Sequence, residues 1–118
     1  MKVLITGAAG FIGSALSIKL FEKGNQIIGI DNHNDYYDPS LKEARLARHI
    51  NHKNYTHIRM DIENGKAIER LFKEHQFDRV VNLAAQAGVR YSIENPLAYI
   101  NTNMVGFGHI LEGCRHSN

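Results

Sequence analysis

Residues 3–13, VLITGAAGFIG, restrict the chain more than any other stretch. A β-branched and apolar run, Val3-Leu4-Ile5, ends at Thr6. Glycines follow at 7, 10 and 13, and apolar residues then recur at helical spacing: Phe11, Ile12, Ala15, Leu16 and Leu20. The order is strand, glycine turn, helix. The first turn of such a helix holds backbone N–H groups with no intrahelical partner, and the positive end of the helix dipole lies there too. An anion fits that position, and the pyrophosphate of a dinucleotide is the anion this arrangement suits. Gly7 serves the sharp turn, where φ is expected to be positive. Gly10 lets phosphate approach the backbone, and Gly13 lets the helix lie close to the strand. The spacing G-x-x-G-x-x-G is one residue longer in its first gap than the usual dinucleotide fingerprint. Taken alone, the glycines also suit a flexible Gly/Ala turn with no ligand; the flanking strand and helix favour the anion site.

A chain of 118 residues with 43% apolar content is expected to form one domain around a real core. The formal charge of +2 is small and the basic residues are scattered, which argues against nucleic acid as a partner. No apolar run approaches the about 20 residues that span a bilayer, so no membrane partner is expected. Met1-Lys2 leads straight into strand residues, leaving no visible leader. The single cysteine, Cys114, fits a reducing cytoplasm and a structural rather than nucleophilic role.

Along the chain, strands are expected over 2–6, 26–31, 55–59 and 77–83, and helices over 11–23, 40–49, 65–75 and 96–115. Gly24 closes the first helix. The second helix carries Leu41, Ala44, Arg45 and Arg48. The third presents Ile68, Leu71 and Phe72 on one face, and Pro96 opens the last. Alternating strands and helices imply a three-layer α/β fold with a parallel sheet in the order 3-2-1-4. Ligands bind such sheets at the carboxyl ends of the strands, beside the switch point between strands one and four.

The candidate site residues fall at those ends. Asp31 stands 18 residues after Gly13 at the tip of strand two. A carboxylate there accepts from the adenosine ribose hydroxyls and repels a 2′-phosphate, favouring NAD over NADP. Asn32 can support the same ribose. Asp61 can accept from the adenine amino group with Ile62 packed on the ring, or it can form an Asx turn; the residues leave both open. Ala84, Ala85 and Gly88 give the cofactor room to cross the sheet, and Gln86 can bond phosphate or ribose. Arg90 and Ser92 lie where the substrate side of the cleft should be, although a surface arginine with no ligand reads the same way. Tyr36 and Tyr37 sit in a loop that would cover the adenine side. His49, His52 and His57, among seven histidines, lack a cysteine or carboxylate to complete a zinc set and are expected to be solvated, so no metal is assigned.

The stretches TGAAGFIG, IIGIDNHNDYYDPSLKEARL, RMDI, VNLAAQAGVRYSIENPLAYINTNMVG and ILEGCRH cover nearly the whole chain. In them the chain resembles the N-terminal part of an extended short-chain dehydrogenase/reductase, and more narrowly the NAD-dependent nucleotide-sugar epimerases and dehydratases. AAQAGVRYSIENP is most similar to the UDP-glucuronate 4-epimerase branch. The resemblance implies a Rossmann-type fold cut off before strands five and six. It implies that Gly7, Gly10, Phe11, Ile12 and Gly13 hold the pyrophosphate, Asp31 and Asn32 the ribose, and Asp61 and Ile62 the adenine. Leu83, Ala84, Ala85 and Gln86 would line the cofactor, with Asn103 reaching back toward the strand-four turn. Gln86 stands where many relatives carry histidine, and Arg90 where the galactose-epimerase branch differs.

Enzymes of this kind use a Tyr-x-x-x-Lys pair. The tyrosine takes a proton from the sugar hydroxyl while C4 passes hydride to NAD; the 4-keto intermediate turns, and hydride returns to its other face. Four residues after Tyr36, Tyr37, Tyr55, Tyr91 and Tyr99 stand Ser40, Leu41, Arg59, Asn95 and Asn103, so the pair is missing from these 118 residues. The chain by itself is therefore expected to be catalytically inactive, with a UDP-sugar as partner only in a full-length form. A homodimer is expected, through the last helix or the exposed edge of strand four. A stand-alone NAD-binding or regulatory module, and a subunit completed by a separate C-terminal half, fit the same residues.

Overall fold

Four parallel strands form the sheet: β1 (Lys2–Thr6), β2 (Gln26–Asp31), β3 (Tyr55–Arg59) and β4 (Arg79–Asn82). Their order in the computed structural model, which describes residues 1–35 and 38–117, is β3-β2-β1-β4, as the alternation of elements predicts. Register places Thr6 opposite Ile30 on one side and Asn82 on the other, and Asp31 opposite Arg59. Gly7, Asn32 and Leu83 therefore leave the sheet along one edge. Val3, Leu4, Ile5 and Thr6 of β1 and Ile27, Ile28 and Ile30 of β2 are all buried. Unbroken burial of successive residues is what central parallel strands require, and it explains the runs of β-branched residues.

The chain divides into two compact units, Met1–Met60 with Phe77–Leu83, and Asp61–Gln76 with Ala84–Asn118. The first contains the sheet, α1 (Phe11–Glu22) and α2 (Pro39–Ala47). Its core is built from Val3, Ile5, Ala8, Ala9, Phe21, Ile27, Leu46 and Tyr55. Of the apolar residues at helical spacing in α1, Leu16 and Leu20 pack against the core. Phe11 and Ile12 are exposed, whereas Gly13, Ser14, Ser17 and Phe21 are buried. Small side chains let the helix approach closely, and the serine hydroxyls donate to carbonyls of their own helix: Ser17 Oγ to Gly13 O at 2.8 Å, Ser14 Oγ to Phe11 O at 3.3 Å. In α2 the buried residue is Leu46 rather than Leu41. Asp38 caps α2 by accepting from the Ser40 amide at 3.0 Å.

The second unit consists of α3 (Gly65–Glu74), α4 (Val89–Glu94), α5 (Pro96–Ile100), a π-helical segment over Asn101–Gly106, and α6 (Phe107–Ser117). Ile68, Leu71 and Phe72 of α3 are buried, as their spacing predicts. Two features differ from the expected elements. Residues 89–94 form a helix that was not among the expected elements, and the single helix over 96–115 is interrupted by the π segment. Gly106 in that segment lies against Ile62, whose side chain would stand 2.6 Å from any Cβ placed there. A widened turn is how a helix re-aims side chains without breaking. Asn95 ends α4 and caps α5, accepting from the Ala98 amide at 3.3 Å. Among the described residues no helix is long and apolar enough to cross a membrane.

Candidate cofactor site

In the first unit the glycine turn closes on itself. Gly7 adopts φ +68°, the left-handed region that glycine alone enters without strain. The Gly10 amide donates to Gly7 O at 3.0 Å, and the Ala8 amide to Ile30 O at 3.1 Å. A Cβ on Gly13 would stand 2.1 Å from Gly7 O and 2.9 Å from Gly7 C, so α1 begins in van der Waals contact with the turn itself. Gly10 is the N-cap and supplies no side-chain hydrogen bond. The first intrahelical bond from this end runs from the Ser14 amide to Gly10 O at 3.0 Å. The amides of Phe11, Ile12 and Gly13 precede it and have no helical acceptor. A cap that has no side chain, three amides and the helix dipole together suit an anion.

Asp31 ends β2 beside this turn and is 5% exposed. One carboxylate oxygen accepts from the Ala9 amide at 3.1 Å, within the turn. The other accepts from Lys42 Nζ of α2 and from the His33 amide, both at 2.8 Å. Burial alone would raise the carboxyl pKa. The Lys42 hydrogen bond and charge, with the His33 and Ala9 amides, outweigh it and hold the group below its ordinary value. The aspartate is therefore ionised at neutral pH, held in orientation from three sides, and tied to the glycine turn it was expected to complement. Lys42, absent from the sequence-based site, also lowers its net charge; its spacing within the Pro39–Ala47 helix was the only signal available. Asn32 Oδ1 accepts from the Asn34 amide at 3.0 Å. Tyr36 and Tyr37 lie outside the described residues.

His49 and His57 correct the expectation of solvation, whereas His52 is exposed. His49 is 4% exposed, and neither ring nitrogen has a hydrogen-bond partner. It packs edge-on to Tyr55 at 4.7 Å and tilted against Phe21 at 5.9 Å; burial, then the charges of Arg48 and His52, lowers its pKa. His52 stacks on Phe21 at 4.0 Å. His57 is half-buried, bonded to the Tyr55 hydroxyl and to His33 Nε2, each at 2.8 Å. Apolar and aromatic packing of the imidazole rings overrides the hydration that composition suggests. Among the described residues no three His, Cys, Asp or Glu side chains gather as metal ligands would.

In the second unit, Asp61 Oδ1 accepts from the Glu63 amide at 2.9 Å, the Asx turn left open by the sequence. Ile62 is 3% exposed, and its carbonyl accepts from His109 Nδ1 at 2.8 Å. Asn103, on the π segment, brackets Gln86. Its Oδ1 accepts from the Gln86 amide at 2.8 Å and its Nδ2 donates to Gln86 O at 3.1 Å. The segment after strand four is thus held by a two-point amide clamp from a residue 17 positions away. Ala84 is half-buried and Ala85 exposed, while Leu83, which belongs to the first unit, donates its amide to Thr6 Oγ1 at 3.0 Å. Arg90 and Ser92 fall on α4. The Arg90 side chain is 93% exposed and lies 3.9 Å from Glu94, and Ser92 Oγ donates back to Val89 O. Both make contacts local to their own helix.

The sequence profile of the GDP-mannose 4,6 dehydratase family matches residues 4–118. Protein CapI of Staphylococcus aureus is 55% identical over 118 residues, which are 100% of this chain and 35% of that protein. UDP-glucuronate 4-epimerase 3 of Arabidopsis thaliana is 46% identical over 117 residues, 99% of this chain and 27% of that protein. The chain thus spans about a quarter to a third of the length of these relatives. Among solved structures, UDP-glucuronic acid 4-epimerase of Bacillus cereus, in complex with UDP-glucuronic acid and NAD, superposes with a TM-score of 0.88 at 34% identity. It covers 98% of this chain, which corresponds to 37% of that one.

Proposed function

We propose, from the premise that this chain belongs to the GDP-mannose 4,6 dehydratase family, that it is the NAD-binding N-terminal portion of a nucleotide-sugar 4-epimerase acting on a UDP-sugar such as UDP-glucuronate. The observation that carries the reading is the bare N-terminus of α1 at the Gly7–Gly13 turn, joined through the Ala9 amide to the Asp31 carboxylate. A diphosphate needs amide donors and no side-chain competitor, and an adenosine ribose needs a fixed acceptor beside them. Gly7, Gly10, Phe11, Ile12 and Gly13 hold the pyrophosphate, and Asp31 and Asn32 the ribose. Asp61 and Ile62 hold the adenine, and Leu83, Ala84, Ala85 and Gln86 line the cofactor, the last fixed by Asn103. Arg90 and Ser92 remain weak candidates for the substrate side.

NAD supplies reversible hydride acceptance; these residues bind and orient it. The 118 residues contain no Tyr-x-x-x-Lys base, so the chain alone binds cofactor without turning over a sugar. Its place is the cytoplasm. A second copy pairs through the last helix, where Leu97, Ile100, Met104 and Leu111 are exposed. The free edge of β4 is the other route. Calorimetry tests the reading. NAD should bind, NADP should bind at least tenfold more weakly, and Asp31→Ala should erase that preference. Equal binding of both dinucleotides, or turnover of a UDP-sugar by this chain alone, overturns it.

A further inference from the structure

In the second unit, one face of the last helical stretch grips the turn over residues 61–65. Thr102, Gly106 and His109 follow one another at intervals of about one helical turn and so share that face. Thr102 Oγ1 donates to Glu63 Oε2 at 3.1 Å. Gly106 lies against the Ile62 side chain, which would stand 2.6 Å from a Cβ there. His109 Nδ1 meets the Ile62 carbonyl at 2.8 Å. A carbonyl only accepts, so Nδ1 carries the hydrogen whatever the state of Nε2. The far edge of the same imidazole fills the space beside Gly65, its Nε2 2.9 Å from where a Cβ would be.

The turn also has an internal order. Asp61 Oδ1 accepts from the Glu63 amide at 2.9 Å, Asp61 O accepts from the Asn64 amide at 3.0 Å, and Asn64 Oδ1 caps α3 by accepting from the Ala67 amide at 3.1 Å. Bonds of such short range fix the shape of a turn but not its place. Its place is set by the contacts from residues 102, 106 and 109. We propose that Thr102 and His109 are positioning residues for base recognition: they hold the turn where the Asp61 carboxylate meets the adenine amino group. The proposal rests on the reading of Asp61 as part of the adenine site. It deepens that reading by assigning control of base specificity to two side chains that act only through the turn.

The surroundings agree. Ile62 is 3% exposed and anchors the turn by its side chain as well as by its carbonyl. Thr102 and Asn103 are adjacent, yet the first holds residue 63 and the second clamps residue 86. The π segment thus divides its polar side chains between two loops, and Gly106 marks where the helix comes closest to the first of them. A carboxylate reads an amino group only within hydrogen-bond reach, so a turn that drifts by about 1 Å loses the contact.

Two readouts on the whole chain test this. Thr102→Val and His109→Leu each remove a donor and keep most of the volume. Hydrogen exchange of the Glu63 and Asn64 amides, measured without cofactor, should quicken by about tenfold or more in the double variant, while the β1 amides stay protected. Calorimetry compares NAD with nicotinamide hypoxanthine dinucleotide, which carries a carbonyl where adenine carries its amino group. The parent should prefer NAD by about tenfold or more, because a carboxylate facing a carbonyl has no hydrogen to accept. The double variant should prefer it by less than about threefold, and Thr102→Ser should keep the parent preference. The preference for NAD over NADP, which Asp31 sets, should not move. Unchanged exchange, or a base preference retained in the double variant, overturns the proposal. So does an equal loss of both preferences, which is what a damaged fold gives. Where the double variant fails to fold, Thr102→Val alone carries both readouts. Quickened exchange, with a parent that binds both dinucleotides equally, supports the grip on the turn and overturns the assignment of adenine to Asp61.

Discussion

Replacing Gly13 by alanine tests whether the first helix truly begins in contact with the glycine turn. The added methyl would lie 2.1 Å from Gly7 O, 2.9 Å from Gly7 C and 3.0 Å from Ala8 Cα. Ordinary contact begins near 3.4 Å, so the turn and the helix must separate by more than 1 Å, and every obstructing atom is backbone. Overpacking of this kind costs about 3 kcal/mol at the upper end of its usual range. The better helix propensity of alanine returns about 1 kcal/mol. The net loss is about 2 kcal/mol. An unfolding entropy of about 2.1 cal/mol/K per residue converts that to a Tm lowered by about 8 °C. Gly108→Ala is the matched control: it also removes a helical glycine, but nothing lies within 4 Å of its Cβ. That variant should gain about 0.5–1 kcal/mol and melt a few degrees higher. Thermal melts followed by far-ultraviolet dichroism read both. In calorimetry, Gly13→Ala should bind NAD at least tenfold more weakly, through loss of about one amide–phosphate hydrogen bond of 1.5–3 kcal/mol. A Gly13→Ala protein that melts at or above the parent, with Gly108→Ala behaving as expected, refutes the close approach and the cradle built on it.

Asn103→Ala removes both bonds to the Gln86 backbone and should cost about 1–3 kcal/mol in urea unfolding; an unchanged midpoint would show that the clamp is not formed in solution. Lys42→Met leaves a buried carboxylate without its cation and should cost about 2 kcal/mol at pH 7, with discrimination against NADP in favour of NAD growing as the negative charge of Asp31 is unmasked. Acid should weaken the fold in two stages. His57, lowered from 6.5 to about 4, favours the folded state in its neutral form, so its contribution is complete above 6.5 and declines as pH falls toward 4. Asp31, held below 3.8, contributes above that value and is lost as pH falls through its folded pKa. Denaturation midpoints measured against pH should therefore begin to drop near 6.5, and a flat profile down to pH 4.5 would contradict the first stage. Leu97→Glu with Met104→Glu should shift sedimentation toward monomer without lowering NAD affinity; an unaltered dimer would move the interface to the β4 edge.

The fold was legible because its signals are local and repeated. The runs at Val3–Ile5 and Ile27–Ile30 are rich in β-branched residues, and each is soon followed by glycine or aspartate. Those patterns set the strand order once parallel pairing was granted. Two elements escaped for physical reasons. Val89–Glu94 is a six-residue helix with no buried residue, so it has no amphipathic period to find. The π segment at Asn101–Gly106 sets Gly106 against Ile62, a contact between residues 44 positions apart that local spacing does not announce. On α1, Leu16 and Leu20 pack against the core as their spacing suggests, but the fully buried positions go to Gly13, Ser14, Ser17 and Phe21, because burial there is set by how near the helix must come to the turn.

The site was legible only in its backbone half. Glycine spacing announces a conformation, and Gly7 and Gly13 adopt the geometry that spacing demands. Side-chain partners carry no such signature. Lys42 follows Asp31 by eleven positions and reaches it only because Pro39 starts a helix after the loop. His33 reads as one polar residue in NHND, yet it is the residue that φ +55° and a buried imidazole mark as constrained. His57 was grouped with His49 and His52 by proximity in sequence. In the fold, alternation along β3 puts it beside Tyr55, two residues away on the same face, and pairing with β2 brings that face against the loop after Asp31. Chemistry that depends on a strand's face is invisible until the register is known, and register is the step at which His57 joins Tyr55 and His33 in one hydrogen-bonded group. The same reasoning predicts that a substitution at His57 will be felt at Asp31 before it is felt in the sheet. His57→Phe should change the amide shifts of residues 31–34 more than those of β1, and the reverse order would separate this group from the cofactor site.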